Sequence, residues 1–409
     1  MAEPETPPTT PTGLAHVATV SFLAARAAPS AQFWLALAGG IGLARTAALK
    51  GARIGYGASA AAMLQTVAVM GPARINAPLT QALTAPMLGG LHRRGVSAPL
   101  QIVACFAIRF AHYVVLTAAL VWIILGGVDA YVGSYDTLTG WLGILPEGKR
   151  GALIVTVVIN VALANFYSVT QVLVYRWALT SWPEAVEPAV GPAADAGEDR
   201  GSLRFDPRAI TLAAALAFGL LLSGTSWILL ASVAAFLAIA WAVSRPDPEA
   251  LSLGLALTAL LAFSALIASL VAGLGIEEAL RRATRAGLLV LVATWLRAAA
   301  GPAGLRETFR RALWRVRWVP PARQASEILD GLDSGGRLIA SGRTLVDALA
   351  PVEKMPHPVA TVVRDWVAAE AAGFRAGVAA ARARLTVAPR DGLLIALAVA
   401  PALTLFANG

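Results

Sequence analysis

The chain has 409 residues, of which 57% are hydrophobic and only 14% are charged, and its mean hydropathy is +0.67. Soluble domains carry about a quarter charged residues, so this composition excludes an ordinary soluble protein and indicates an integral membrane protein. The alternating ten-residue pattern of a membrane barrel does not occur, so the predicted fold class is all-α, a polytopic helical membrane protein.

The net charge of +9 comes almost wholly from arginine. Because the basic residues alternate with apolar segments, we interpret them as topology signals and contacts to anionic lipid headgroups, not as a nucleic-acid surface. The single cysteine, Cys105, excludes a disulfide within the chain and a cysteine-based metal site. Paired histidines and glycine-rich phosphate loops do not occur, so the sequence predicts no metal, no cofactor and no enzyme activity of its own.

The N-terminal tail is acidic and rich in proline and threonine, which predicts a disordered cytoplasmic segment without a cleavable signal peptide. Gly13 to Ala28 is predicted to be a short amphipathic helix lying along the membrane surface. The apolar run from Gln32 to Ala44 follows, with small residues at Ala36, Gly40 and Ala44. This spacing suits a helix-contact face, although small residues are also common throughout the chain.

Tyr56 to Met70 predicts a span that its neighbours shield from lipid. Gly71 to Gly95 contains three prolines and predicts broken helices or a re-entrant segment. Pro99 to Leu125 and Gly151 to Ala178 are strong predicted spans. Between them, Asp129 to Arg150 is predicted to be a polar loop.

Arg109 and His112 lie inside the first strong span, and Asn160 and Asn165 lie inside the second, which also carries Gln171. Ionisable residues at membrane depth are functional candidates, so we take the first four of these as a candidate polar cavity. Two alternatives stay open. In the first, Arg109 snorkels to the membrane surface or pairs structurally. In the second, the asparagines, which do not share a helix face, form separate interhelical hydrogen bonds.

Ser181 to Ser202 is acidic and rich in proline, glycine and alanine, which predicts a linker between two membrane modules. Apolar runs in the second module predict further spans at 209–224, 226–243, 249–275 and 283–299. A last short span follows Arg390 and Asp391.

Before that last span the pattern changes to amphipathic helices, in which Leu305, Phe309 and Leu313 share one face and arginines occupy the other. Each charge costs about 3 kcal/mol in the hydrocarbon core, so this stretch is predicted to lie at the cytoplasmic surface. The further predicted helices are Pro321–Leu332, Arg337–Leu349 and Pro358–Leu385.

Four features follow one another in the C-terminal half: Asp206-Pro207-Arg208, a basic helix entry from Glu278 to Arg285, Leu305-Arg306-Glu307-Thr308-Phe309, and Arg390-Asp391 before the terminal span. In their order and spacing, residues 204–409 resemble the transmembrane T component of energy-coupling-factor transporters, which serve vitamins and metal ions. The resemblance covers half of the chain, and the N-terminal half resembles no family that we identify.

The resemblance implies that the amphipathic helices are coupling helices, which dock ATPase subunits and present an apolar face to a substrate-binding membrane subunit. The family carries a short Ala-Arg-Gly-type motif on each of two helices. The matching positions are Ala340 to Arg343 and Gly373 to Gly377, neither of which reproduces that triplet. The residues implied are Gly342, Arg343, Arg375 and the competing Arg382 for docking, and Leu305, Phe309 and Leu313 for the membrane partner. Alternatively, the arginines form a solvated or headgroup-facing surface.

The resulting hypothesis is a multi-pass protein of a bacterial inner membrane, with its N-terminus and amphipathic helices in the cytoplasm. It would pass the motions of partner ATPases to a substrate-binding unit, partly fused as the N-terminal module. The runner-up is a non-transport membrane scaffold, and a membrane enzyme comes third. The predicted domains are a tail and interfacial helix (1–30), an N-terminal membrane module (31–180), a linker (181–203), a second membrane module (204–300), coupling helices (301–390) and a terminal span (391–409).

Overall fold

The structure is a computed structural model, and it describes residues 10–27, 31–71, 76–125, 127–143, 145–183, 205–245, 248–332, 336–349, 356–374 and 387–406. These residues form α-helices and contain no strand. The helices are α1 (Pro11–Ala27), α2 (Gln32–Lys50), α3 (Ala52–Met70), α4 (Asn76–Arg93), α5 (Ala98–Ala119), α6 (Val128–Leu142), α7 (Gly148–Thr180), α8 (Pro207–Ser223), α9 (Trp227–Ser244), α10 (Pro248–Val271), α11 (Ile276–Arg315), α12 (Pro320–Gly331), α13 (Gly336–Leu349), α14 (Pro356–Gly373), α15 (Pro389–Val399) and α16 (Leu403–Phe406).

Five of the described helices are long and apolar enough to cross a membrane. They are Ala98–Trp122, Gly148–Thr180, Trp227–Ser244, Glu249–Val271 and Ile276–Arg315. Large apolar side chains on them point away from the protein, as for Leu260 and Phe263, each 62% exposed. Contiguous exposed apolar surface of this kind is unfavourable in water. The chain is therefore a helical membrane protein whose spans face lipid.

The chain divides into two compact units, each assembled from separated segments. Unit 1 comprises Met1–Arg109, Asn165–Asp199 and Pro302–Ala383, and unit 2 comprises Phe110–Ala164, Arg200–Gly301 and Arg384–Gly409. The boundary near residue 301 falls at a kink in α11, where Gly301 has φ 65° and Pro302 follows. Glycine adopts a positive φ without strain, and proline lacks the N–H that would continue the helix. The kink separates the apolar part of α11 from its arginine-rich end.

Helix α1 is the centre of unit 1 and packs against α2, α3, α13 and α14. Side chains all round it are buried, among them Leu14 and Phe22. The sequence placed this segment along the membrane surface, and the structure places it in an interior. The difference arises because the apolar faces of α2, α13 and α14 surround it, so that no side of α1 remains to face water.

Small residues let the helices of unit 1 approach closely, as the spacing of Ala36, Gly40 and Ala44 predicted. A Cβ atom added to Gly40 would lie 1.5 Å from the hydroxyl of Tyr175, and one added to Gly89 would lie 2.0 Å from the carbonyl oxygen of Ala44. The α2–α4 contact therefore depends on glycine at position 89.

The predicted break at Gly71 to Gly95 is wrong for the described part, because α4 is one continuous helix with Pro86 inside it. Proline at position 86 deprives the carbonyl oxygen of Ala82 of its usual helical donor. The hydroxyl of Ser59 on α3 donates to that oxygen at 2.6 Å. A neighbouring helix thus supplies the missing hydrogen bond, and α4 continues.

The prediction of a polar loop from Asp129 to Arg150 is also wrong, since α6 occupies most of it. The end of α6 is fastened to the start of α7 by two hydrogen bonds. The hydroxyl of Tyr135 donates to the carbonyl oxygen of Pro146 at 2.6 Å, and the N–H of Gly148 donates to Asp136 Oδ1 at 2.7 Å. The polar residues that predicted a loop therefore form hydrogen bonds between α6 and the segment that leads into α7.

In unit 2, α8 packs against α15, and α9 packs against α8 and α15. Trp295 of α11 is fully buried, stacks edge-on against Phe236 of α9, and donates its indole N–H to Ser244 Oγ at 3.1 Å. The close approach of α10 and α11 uses Gly254, whose added Cβ would lie 2.7 Å from Thr294.

Candidate functional site

A buried polar network around Arg109 lies inside unit 1, where α4, α5 and α7 meet. Arg109 is 3% exposed, and its guanidinium donates a hydrogen bond to Gln171 Oε1. The Nε2 atom of Gln171 donates to Thr84 Oγ1 at 2.8 Å, and the thiol of Cys105 donates to Gln171 Oε1 at 3.5 Å. Gln171 is therefore the hub that joins the three helices.

A second polar pair lies one helical turn along α7 from this hub. The hydroxyl of Tyr175 donates to Gln81 Oε1 at 2.6 Å, and both residues are buried. Gly40 of α2 leaves the space for the Tyr175 hydroxyl. The Gln171 hub and this pair thus bring two amide side chains, a phenol, a hydroxyl and a thiol into the same part of unit 1 as the buried Arg109.

The arginine of this network is a residue type suited to anion recognition. An arginine stays charged at any ordinary pH and presents a planar fork of N–H donors to a carboxylate or phosphate. Its contacts include the neutral amide of Gln171 and the ring of Tyr167, whose centroid lies 5.7 Å from the guanidinium carbon. Buried polar groups inside a membrane protein commonly mark a substrate or ion path. Arg109 accordingly remains the strongest candidate from the sequence.

Of the four residues predicted to form one polar cavity, only Arg109 belongs to this network. His112 is half-buried in unit 2 and lies beside the ring of Tyr113. Asn160, also in unit 2, donates from Nδ2 to Thr117 Oγ1 at 3.2 Å, and Asn165 is exposed. The alternative of separate interhelical hydrogen bonds thus describes Asn160 better than a shared cavity does.

The predicted docking residues fall on α13 and beyond it. Gly342 is buried and packs near Val20 of α1, whereas Arg343, the next residue, is exposed. Among the described residues Arg343 forms no ion pair. Arg375 and Arg382 lie outside the described residues.

The predicted face for a separate membrane partner is turned inward. Leu305 is fully buried, and Phe309 and Leu313 pack against the core that α1, α2 and α12 build. The neighbouring arginine, Arg306, caps the end of α12 by donating to the carbonyl oxygen of Leu332 at 2.8 Å. This face is therefore occupied by helices of the same chain.

The sequence reasoning missed a buried pair in the centre of unit 1. His16 Nε2 of α1 lies 3.3 Å from Glu370 Oε1 of α14, and the hydroxyl of Ser341 on α13 donates to the same oxygen at 2.7 Å. The available signal was Glu370 itself, a carboxylate flanked by two alanines on each side. A buried carboxylate needs such partners.

A basic cluster lies at the ends of α2, α4 and α7, next to the sequence His92-Arg93-Arg94. The guanidinium of Arg45 stacks over the ring of Trp182 at 4.7 Å, and Arg176 Nη1 donates to the carbonyl oxygen of Val96 at 3.0 Å. Burial, and then the positive charges of Arg176 and Arg45, lower the pKa of His92 below its ordinary value. Burial likewise lowers the pKa of Arg45.

Two of the motifs that carry the family resemblance meet in unit 2. The buried carboxylate of Asp391 accepts hydrogen bonds from the backbone N–H of Asp206 at 2.8 Å and from that of Ala388 at 2.7 Å. Asp206 in turn holds Arg208 through an ion pair of 2.9 Å. Helices α8 and α15 are therefore joined at their N-terminal ends.

Within the part of the chain that the structure describes, no group of three or more His, Cys, Asp or Glu residues could hold a metal ion. Comparison with protein-family models, with curated proteins and with solved structures finds no match to this chain.

Proposed function

We propose that the chain is a transmembrane coupling subunit of an ATP-driven transporter of the energy-coupling-factor type, placed in a bacterial inner membrane. The observation that carries the proposal is the two-faced arrangement of α12 and α13. Leu329 and Leu345 on their inner faces are fully buried, whereas Arg323 and Arg343 on their outer faces are exposed. Packing of the apolar inner faces fixes the positions of α12 and α13. Their exposed arginines are then held in place for the docking of another subunit.

The same helices rest on the N-terminal helices. Gln324 of α12 lies against Gly57 of α3, and Gly342 of α13 lies near Val20 of α1. In the family that the C-terminal half resembles, the coupling helices contact a substrate-binding membrane subunit. We therefore assign that role to the N-terminal helices of unit 1, with the Arg109 network between α4, α5 and α7 as the polar interior that holds an anionic group of the substrate.

In this proposal the outer face docks partner ATPases in the cytoplasm, and these partners hydrolyse ATP. Arg343 is the residue of choice for docking, because it is exposed next to the buried Gly342, which lies near Val20 of α1. Arginine can bind a carboxylate through two parallel hydrogen bonds.

The test is affinity purification of the tagged full-length protein in mild detergent, followed by identification of the subunits that co-elute. We expect a nucleotide-binding subunit in near-stoichiometric amount. Arg343→Glu should release it, and Arg94→Glu, which makes the same charge change at an exposed turn after α4, should not. Absence of any nucleotide-binding subunit, with the intact chain recovered, would overturn the proposal.

A membrane-surface scaffold is the second candidate, and one observation favours it. Trp314 and Trp318 are 48% and 79% exposed beside the arginine-rich end of α11, and the guanidinium of Arg317 stacks over Trp314 at 4.7 Å. Exposed tryptophan with arginine suits the headgroup layer. A stable complex that lacks every nucleotide-binding subunit would support this function instead.

A further inference from the structure

An apolar groove with one basic residue at its end lies on unit 2 between α9 and α15. Its volume is about 370 Å³, within the range of about 300–1,000 Å³ typical of small-molecule sites. Phe236 of α9 and Leu394 of α15 form its buried floor, and Ile239 and Leu393 form exposed rims. Among the described residues that line it, each is apolar except Arg390.

The groove runs along a helix that is long and apolar enough to cross a membrane, Trp227–Ser244. Ile239 is 46% exposed and Leu393 is 63% exposed, so both rims are open from the side. In a bilayer, the molecules that reach such a surface are lipids, and an acyl chain matches the apolar lining.

One end of the groove is basic, whereas the rest of the groove is apolar. The N-terminus of α15 and the C-terminus of α9 lie together there, since Arg390 and Val243 line the same groove. Arg390 is exposed. Arg245, which directly follows the last residue of α9, is exposed as well. Asp391 is the nearest carboxylate in sequence, but it is 1% exposed and accepts two backbone N–H groups, so it points into the protein.

We propose that this groove binds an anionic phospholipid, with an acyl chain between α9 and α15 and the headgroup phosphate on the guanidinium of Arg390. Arginine suits a phosphate because it offers paired donors in one plane. Basic residues at the cytoplasmic end of a span also meet the leaflet that is rich in anionic lipid. The site is independent of the coupling role proposed above.

The test is cross-linking of the full-length protein in detergent with phosphatidylglycerol that carries a photoreactive acyl chain, and with the matching phosphatidylcholine. We expect cross-links on residues 227–244 and 389–399, with a higher yield for phosphatidylglycerol. Arg390→Gln should lower that yield about fivefold, the factor for one arginine at an anionic surface, and should lower the phosphatidylcholine yield less, because the choline cation offsets the charge of the phosphate.

Two further variants complete the design. Ile239→Trp fills the groove from an exposed rim and should lower the yield for both lipids. Arg323→Gln removes an exposed arginine from α12 in unit 1 and should change neither yield. Equal yields for the two lipids on the wild-type protein, or an unchanged phosphatidylglycerol yield in Arg390→Gln, would overturn the proposal.

Discussion

Replacing Gln171 by leucine removes the hub of the buried polar network and keeps a similar side-chain volume. Arg109 then loses the amide oxygen to which it donates. A hydrogen bond to a charged group contributes about 1.5–3 kcal/mol. Thr84 loses little, because its hydroxyl still donates to the carbonyl oxygen of Thr80 at 2.7 Å. We expect the free energy of unfolding to fall by about 2–3 kcal/mol.

The double variant Arg109→Met/Gln171→Leu distinguishes a coupled network from two independent residues. Arg109→Met alone should cost about 1 kcal/mol, because Gln171 Oε1 still accepts from the Cys105 thiol. In the double variant no charge is left without its partner, so its loss should be about 2 kcal/mol smaller than the sum of the single losses.

The measurement is denaturant unfolding of the full-length protein in mild detergent, followed by tryptophan fluorescence. Asn165→Leu is the matched control, since this amide lies on the same helix but is exposed, and its effect should stay within about 0.5 kcal/mol. The coupling would be refuted if the loss of unfolding free energy in the double variant equalled the sum of the two single losses within about 0.5 kcal/mol.

Gly89→Ala should lower the free energy of unfolding by about 2 kcal/mol, because the new Cβ meets backbone of α2 at 2.0 Å and outweighs the gain in helix propensity. At the control position, Gly219, an added Cβ would meet no atom within 4 Å. Gly219→Ala should therefore be neutral or stabilising by up to about 1 kcal/mol. Thermal unfolding in detergent ranks both variants, and a Gly89→Ala protein as stable as wild type would contradict the α2–α4 packing. His92 gives a prediction for pH, since burial and two neighbouring arginines lower its pKa in the folded protein. The unfolded chain then binds this proton more tightly, so stability is retained above about pH 6.5 and is lost as the pH falls toward the lower folded pKa. His92→Gln should flatten that acid-side fall in the melting temperature, and an identical pH profile for variant and wild type would exclude this role.

The helical class and the strong spans could be predicted because uninterrupted apolar length is a local property of the chain. Pro320 and Pro321 begin α12 within a residue of the predicted start, since proline is well tolerated in the first turn of a helix. The inward face of Leu305, Phe309 and Leu313 also follows from 3.6-residue periodicity. What periodicity does not specify is the partner, and here the partner is the chain's own core.

The candidate site was predictable only as a single residue. Arg109 stands out because a charge at membrane depth is rare, but its partner Gln171 is one of many neutral polar residues. His16 and Glu370 are separated by 354 positions, and no local pattern relates them. Pro86 misled the prediction because its compensating donor, Ser59, belongs to another helix. These pairings depend on tertiary contacts, which one sequence does not reveal.

The central position of α1 has a consequence for how the protein is made. This helix leaves the ribosome well before α13 and α14, which cover it and supply Ser341 and Glu370. Domains generally form as their segments emerge during synthesis, but unit 1 cannot close before residue 370 is available. His16 therefore lacks its native carboxylate until a residue 354 positions later has been synthesised. An N-terminal fragment that ends at the kink in α11 would contain α1, α2 and α3. It would lack α13 and α14, which complete the packing around α1.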